Sequence, residues 1–147
     1  MHRGSHSEVI RGDARACFEV LLDFERYSAW QGAVRRCEVL ERDAEGRGSL
    51  VETELDLKIR SARYVLRYHY DPPRRIWWEY VEGDLRSIDG EYRFEERGDG
   101  TTLATYEVGV DLGFPVPGRV ARTVAERALR TAVAELRDRV ERDGAPA

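Results

Sequence analysis

The segment Val51-Glu52-Thr53-Glu54-Leu55-Asp56-Leu57-Lys58-Ile59-Arg60 decides the fold. Val51, Thr53, Leu55, Leu57 and Ile59 fall on one side of an extended chain, and Glu52, Glu54, Asp56, Lys58 and Arg60 fall on the other. A period of two is the mark of a half-buried strand in an antiparallel sheet. The pattern then recurs downstream. Tyr64, Leu66, Tyr68 and Tyr70 alternate with Arg63, Arg67 and His69, and Asp71-Pro72-Pro73-Arg74 makes a turn. Ile76, Trp78 and Tyr80 alternate with Arg75, Trp77 and Glu79 as far as the turn Glu82-Gly83-Asp84. Ile88, Gly90, Tyr92 and Phe94 oppose Asp89, Glu91, Arg93 and Glu95. Arg97-Gly98-Asp99-Gly100 carries the composition of a hairpin turn. A last strand follows, with Ala104, Tyr106, Val108, Val110 and Leu112 on one face.

Upstream, Val34 to Arg42 is strand-like and ends in the turn Asp43 to Gly48. Ala16, Cys17, Val20, Leu21 and Phe24 keep helical spacing behind Asp13, a suitable N-cap. Tyr27 to Gly32 has lost that period and reads as a turn or short helical piece. Ser5 to Arg11 reads as a short, truncated first strand, with His2 and His6 in a fraying end. Downstream, the Gly- and Pro-rich stretch Gly113 to Gly118 separates the sheet from a helix over about Arg119 to Arg142. Its apolar stripe is wide: Val120, Val124, Ala128 and Thr131 beside Leu129, Val133, Leu136 and Val140. The order is β–α–β6–α. An antiparallel sheet with one charged face must bury the other, and the terminal helix is what can cover it. The expected fold is α+β, a curved antiparallel sheet wrapped around a long C-terminal helix. It fills residues 1–147 as one domain, with about 143–147 a flexible tail.

Composition narrows the function. The net charge is −4, with acidic and basic residues interspersed and Lys58 the only lysine. Nucleic-acid and polybasic membrane surfaces need a basic face, and none is written here, so neither nucleic acid nor stable membrane insertion is expected. No apolar run is long enough to span a bilayer or to serve as a signal peptide, so the chain reads as cytoplasmic. Cys17 and Cys37 then read as buried free thiols. No His, Cys or carboxylate pair has metal-ligand spacing, and neither metal nor cofactor is expected.

Several motifs carry a family resemblance. Asp23-Phe24-Glu25-Arg26-Tyr27-Ser28-Ala29-Trp30 follows an Asp-Phe-x-x-Tyr-x-x-Trp pattern, with Ser28 where proline is usual. Val39-Leu40-Glu41-Arg42, Tyr70-Asp71-Pro72-Pro73-Arg74, Glu82-Gly83-Asp84, Gly90-Glu91-Tyr92-Arg93-Phe94 and Asp111-Leu112-Gly113-Phe114-Pro115 fit as well. Over nearly its whole length the chain resembles the START-like helix-grip superfamily. More narrowly it resembles the bacterial polyketide cyclase/dehydrase and lipid-transport (SRPBCC) proteins. That resemblance implies a cavity between the concave sheet face and the C-terminal helix. It also implies a hydrophobic cargo or, in some members, aldol-type cyclisation of polyketide chains.

The candidate ligand-binding residues are Tyr64, Leu66, Tyr68, Trp78, Tyr80, Tyr92, Tyr106 and Val108 on the inward face, with Trp30 after the first helix. Any one of these tyrosines could be ordinary sheet core. As a set, so many bulky phenols need room and hydrogen-bond partners, which suits a flat, partly oxygenated ligand. Binding of a hydrophobic or aromatic small molecule (lipid, polyketide or quinone-like) is therefore the leading reading. A polyketide aromatase/cyclase is the alternative, with Tyr64, Tyr68 and Arg86 as its candidate catalytic residues. Arg86 also reads as a rim charge. A toxin-like or regulatory partner protein is the third reading, and a second copy of the chain is a further partner it allows. Binding ranks first because the strands legible in the sequence aim no His, Asp or Glu inward.

Overall fold

The computed structural model describes residues 2–57, 60–113, 115 and 117–144, with backbone alone at His2, Ala121 and Val124. Seven strands form one antiparallel sheet. They are β1 (His2–Arg11), β2 (Val34–Arg42), β3 (Gly48–Asp56), β4 (Ser61–Asp71), β5 (Arg75–Gly83), β6 (Ser87–Glu96) and β7 (Thr101–Asp111). The sheet order is β1-β7-β6-β5-β4-β3-β2. The last six strands are thus a meander, and β1 joins it at the far edge. The helices are α1 (Ala14–Leu22), a 3-10 turn (Phe24–Arg26), α2 (Tyr27–Trp30) and α3 (Gly118–Asp143).

Local chemistry explains these elements. The Asp13 carboxylate accepts the Ala16 N–H at 2.8 Å and starts α1, whose Ala14, Cys17, Phe18 and Leu21 are buried at three- and four-residue spacing. On the strands the inward positions form the core, among them Val51, Leu66, Ile76, Trp78, Tyr92, Phe94, Ala104 and Val108. The outward positions carry charges that pair across strands, such as Glu52 with Arg36 at 2.5 Å and with Arg63 at 2.7 Å. Ile59, assigned inward by alternation, lies outside the described residues.

Two expectations need correction. β1 is not truncated: it pairs with β7 from His2–Val110 to Arg11–Thr101. The stripe on α3 is narrower than its sequence suggests. Leu129, Val133, Leu136 and Val140 are at most 4% exposed, whereas Val120 is 51% exposed and Ala128 and Thr131 face solvent. A straight helix meets a curved sheet along a narrow line, and a seam spaced four, three and four residues is enough to follow it. That line runs over β1. A Cβ added at Gly4 would come within 2.8 Å of Leu129 Cδ1, so the glycine lets helix and strand approach. Polar contacts fix the helix farther along. Arg137 pairs with Glu8, Glu141 accepts the Arg11 N–H at 3.0 Å, and Glu135 accepts the Gly32 N–H at 3.0 Å.

Candidate functional site

Register gathers an aromatic row on the concave face. Tyr68 of β4 is opposite Trp78 of β5, Trp78 is opposite Gly90 of β6, and Tyr92 of β6 is opposite Tyr106 of β7. Ring centroids lie 5.6 Å apart for Tyr68–Trp78, 6.0 Å for Trp78–Tyr92 and 5.9 Å for Trp78–Tyr106. Tyr92 and Tyr106 stack at 4.4 Å with an interplanar angle of 5°. Gly90 makes the row possible. A Cβ there would sit 2.9 Å from Trp78 Cζ2 and 2.5 Å from the Glu107 carbonyl oxygen, so only a bare backbone lets the indole lie flat. Past this pair β5 and β6 diverge, because their pairing covers only Arg75–Trp78 with Gly90–Arg93.

Tyr64 adds a second level. It faces Thr53 of β3, and the Thr53 hydroxyl meets the Cys37 thiol of β2 at 3.5 Å. Leu66 and Val108, both buried, lie on the same face. Phe24 joins this sheet face to the short helices, 4.7 Å from Tyr68 and 5.2 Å from Tyr27.

The hydroxyl groups divide into two kinds. Those of Tyr27, Tyr70 and Tyr80 donate to the carbonyls of Leu21, Gly48 and Leu85. Those of Tyr64, Tyr68, Tyr92 and Tyr106 make no hydrogen bond with any described group, although Tyr64 and Tyr92 are only 6% and 5% exposed. These four hydroxyls keep some accessible surface. Trp78 Nε1 does not, and it is the buried side-chain nitrogen left without a partner among the described residues. Enclosed rings whose polar tips meet open space are a departure from the usual pairing of buried polar groups.

Burial dominates the electrostatics of the row. It pushes the phenols of Tyr64, Tyr68 and Tyr92 well above their ordinary value, and that of Tyr106 up to about 12. The neighbouring Tyr106 and the Glu135 carboxylate on α3 raise Tyr92 further. Burial likewise lifts the Cys37 thiol to about 11. At neutral pH the row is therefore uncharged and rich in donors: phenol O–H groups, a thiol and an indole N–H.

Three anticipated site residues stand apart from it. The Arg86 side chain is 71% exposed, 3.9 Å from Asp111, on an open depression with Gly113 and Pro115. Trp30 packs on Tyr27 at 5.4 Å and borders an outer depression with Val20, Asp23, Arg26 and Arg139. Tyr80 spends its hydroxyl on Leu85. His69, outward as its parity required, stacks on Trp77 and meets Glu79 at 2.8 Å. Sequence reasoning missed the inward ionisable groups of β1. His6 is paired with Tyr106 in register, and its Nε2 lies 3.2 Å from Glu8, which binds Arg137. Apolar Val9 and Ile10 fall on opposite faces, so alternation alone gave β1 no parity. Glu135 was missed too, since nothing but its helical position beside Leu136 marks it.

Residues 10–137 match the profile of the family described as polyketide cyclase / dehydrase and lipid transport. Among curated proteins none matches the chain. A START superfamily protein from Mycobacterium smegmatis superposes with a TM-score of 0.88 at 23% identity, covering 97% of this chain and 99% of that one. The Zhui aromatase/cyclase from Streptomyces sp. R1128 gives 0.81 at 19% identity, with coverage of 96% and 94%. A conserved protein from Geobacillus kaustophilus gives 0.77 at 14%, with coverage of 96% for each chain. At these identities the structural likeness concerns the fold. It shows the fold: a curved antiparallel sheet with a long C-terminal helix, the helix-grip architecture of the START neighbour. The chain belongs to the polyketide cyclase / dehydrase and lipid transport family.

Proposed function

We propose, with that family as premise, that this protein holds a hydrophobic, aromatic small molecule between the concave face of the sheet and α3. One observation carries the reading: on the buried and half-buried rings of Tyr64, Tyr68, Tyr92 and Tyr106 the hydroxyls keep some accessible surface and have no partner among the described residues. A row of rings with unmet donors is what a flat, oxygen-bearing guest would complete. The aromatase/cyclase reading is second, favoured by the Zhui aromatase/cyclase among the structural neighbours. In that reading Tyr64 and Tyr68, held protonated, would donate to an enolate oxygen, and Arg86 would take no part from the rim. The test is calorimetric titration of the protein with anthraquinone, with Trp fluorescence followed in parallel. Saturable binding tighter than about millimolar, roughly −4 kcal/mol, is expected, with quenching that Trp78→Phe removes. Binding that survives unchanged in both Trp78→Phe and Tyr92→Phe, or no saturable binding, would overturn the reading.

A further inference from the structure

Chemical character, more than shape, restricts what the aromatic row can hold. We infer that its guest is an uncharged, planar ring system whose carbonyl or ether oxygens accept hydrogen bonds from the phenols, and that the site rejects carboxylates. This rests on the binding proposed above and adds the ligand class.

Among the described residues, the inward positions of the strands around the row contain no cation. Between Val34 and Asp111 they hold apolar residues, glycine, threonine, the Cys37 thiol, the tyrosines and, at the end of β6, Glu96, whose carboxylate accepts the Ala14 N–H. The ionisable pair on the inner face of β1 is already engaged, His6 with Glu8 and Glu8 with Arg137. Arg86, which would be the natural counter-ion for an acid, is out on the rim beside Asp111. A carboxylate laid on the rings would therefore lose its hydration without gaining an ion pair, which is the costly way to bury a charge.

The field adds to this. From α3, Glu135 accepts the N–H of Gly32, just past α2, at 3.0 Å, and its charge is felt at Tyr92. A second negative group nearby would be repelled. A neutral carbonyl oxygen meets neither obstacle. It is a good acceptor for a phenol, and the Tyr92–Tyr106 stack offers ring faces of matching shape.

The test compares three guests of nearly one shape: anthraquinone bearing a methyl ester, a carboxylate or an aminomethyl group. Calorimetry at neutral pH should give the ester the tightest binding, with the carboxylate weaker by about tenfold or more. Glu135→Gln keeps an acceptor for Gly32 and removes the charge. It should raise carboxylate affinity several-fold and leave the ester unchanged. Tyr92→Phe should weaken the ester by about fivefold, the loss of one hydrogen bond. Equal or tighter binding of the carboxylate or of the amine would overturn the inference while leaving the binding function intact. Failure of all three guests would instead remove the function on which it rests.

Discussion

Removing single hydroxyl groups from the tyrosines should split them into two classes. Tyr27 donates to the Leu21 carbonyl, one of the last-turn carbonyls that α1 leaves without a backbone donor. Tyr27→Phe loses a net hydrogen bond, about 0.5–1.5 kcal/mol, and leaves a buried acceptor unmet, so the cost should be about 1–3 kcal/mol. Tyr70→Phe and Tyr80→Phe, whose hydroxyls donate from half-buried positions, should each cost about 1 kcal/mol. Tyr64→Phe and Tyr92→Phe break no bond among the described residues and remove a partly desolvated, unpaired hydroxyl. Each should leave the ligand-free protein unchanged or more stable by up to about 1 kcal/mol. Urea denaturation of the wild type and five variants, with the slope of the transition held common, reads these differences directly. If Tyr92→Phe destabilises as much as Tyr27→Phe, the Tyr92 hydroxyl has a protein partner and the reasoning about the site fails. The expected pattern is that of a binding site that forgoes stability in the empty protein.

Leu136, fully buried on α3, should cost about 2–5 kcal/mol when truncated to alanine, whereas Val120→Ala, half exposed, should stay within about 0.5 kcal/mol. A chemical melt in which the two lose equally would show the wrong seam on the helix. Alkaline stability follows from the phenols. Burial raises Tyr106 from its ordinary value of 10.0 to about 12, so the folded state keeps a proton that the unfolded chain releases. That contribution is complete below pH 10.0 and is lost as pH rises through about 12. The urea midpoint should fall over that interval, and phenolate absorbance of the buried tyrosines should appear only with unfolding; early phenolate absorbance in the folded state would contradict the burial.

The strands between Val34 and Leu112 were legible because each has one dry and one wet face, and a one-residue slip would bury charges such as Glu52 or Glu91. The inward assignment of Tyr64, Tyr68, Trp78, Tyr92 and Tyr106 followed from that parity alone. Length and polarity misled at the chain's two outer elements. β1 carries glycine, serine and histidine in place of a clean alternation, and its partner β7 is about a hundred residues away, so nothing local announces its full length. On α3 the helical period is real through Val120, but only contact with the sheet decides which part of a stripe is covered. Hydroxyl partners are a property of rotamers and neighbours. The division between Tyr80, bonded to Leu85, and Tyr92, bonded to nothing described, therefore could not be read from the strand pattern.

The seating of α3 on β1, and of β1 on β7, has a consequence for how the chain matures. Of these elements β1 leaves the ribosome before the other strands and can find its partner only after β7 is made, and the helix that covers both follows β7. Until then the meander has its rings on a face open to water, the kind of surface that draws chaperones or other nascent chains. Folding dominated by such distant pairings is slow. A chain stopped just before α3 should accordingly be recovered bound to holdases or in aggregates, while release of the final helix converts it to a protease-resistant form in one late step.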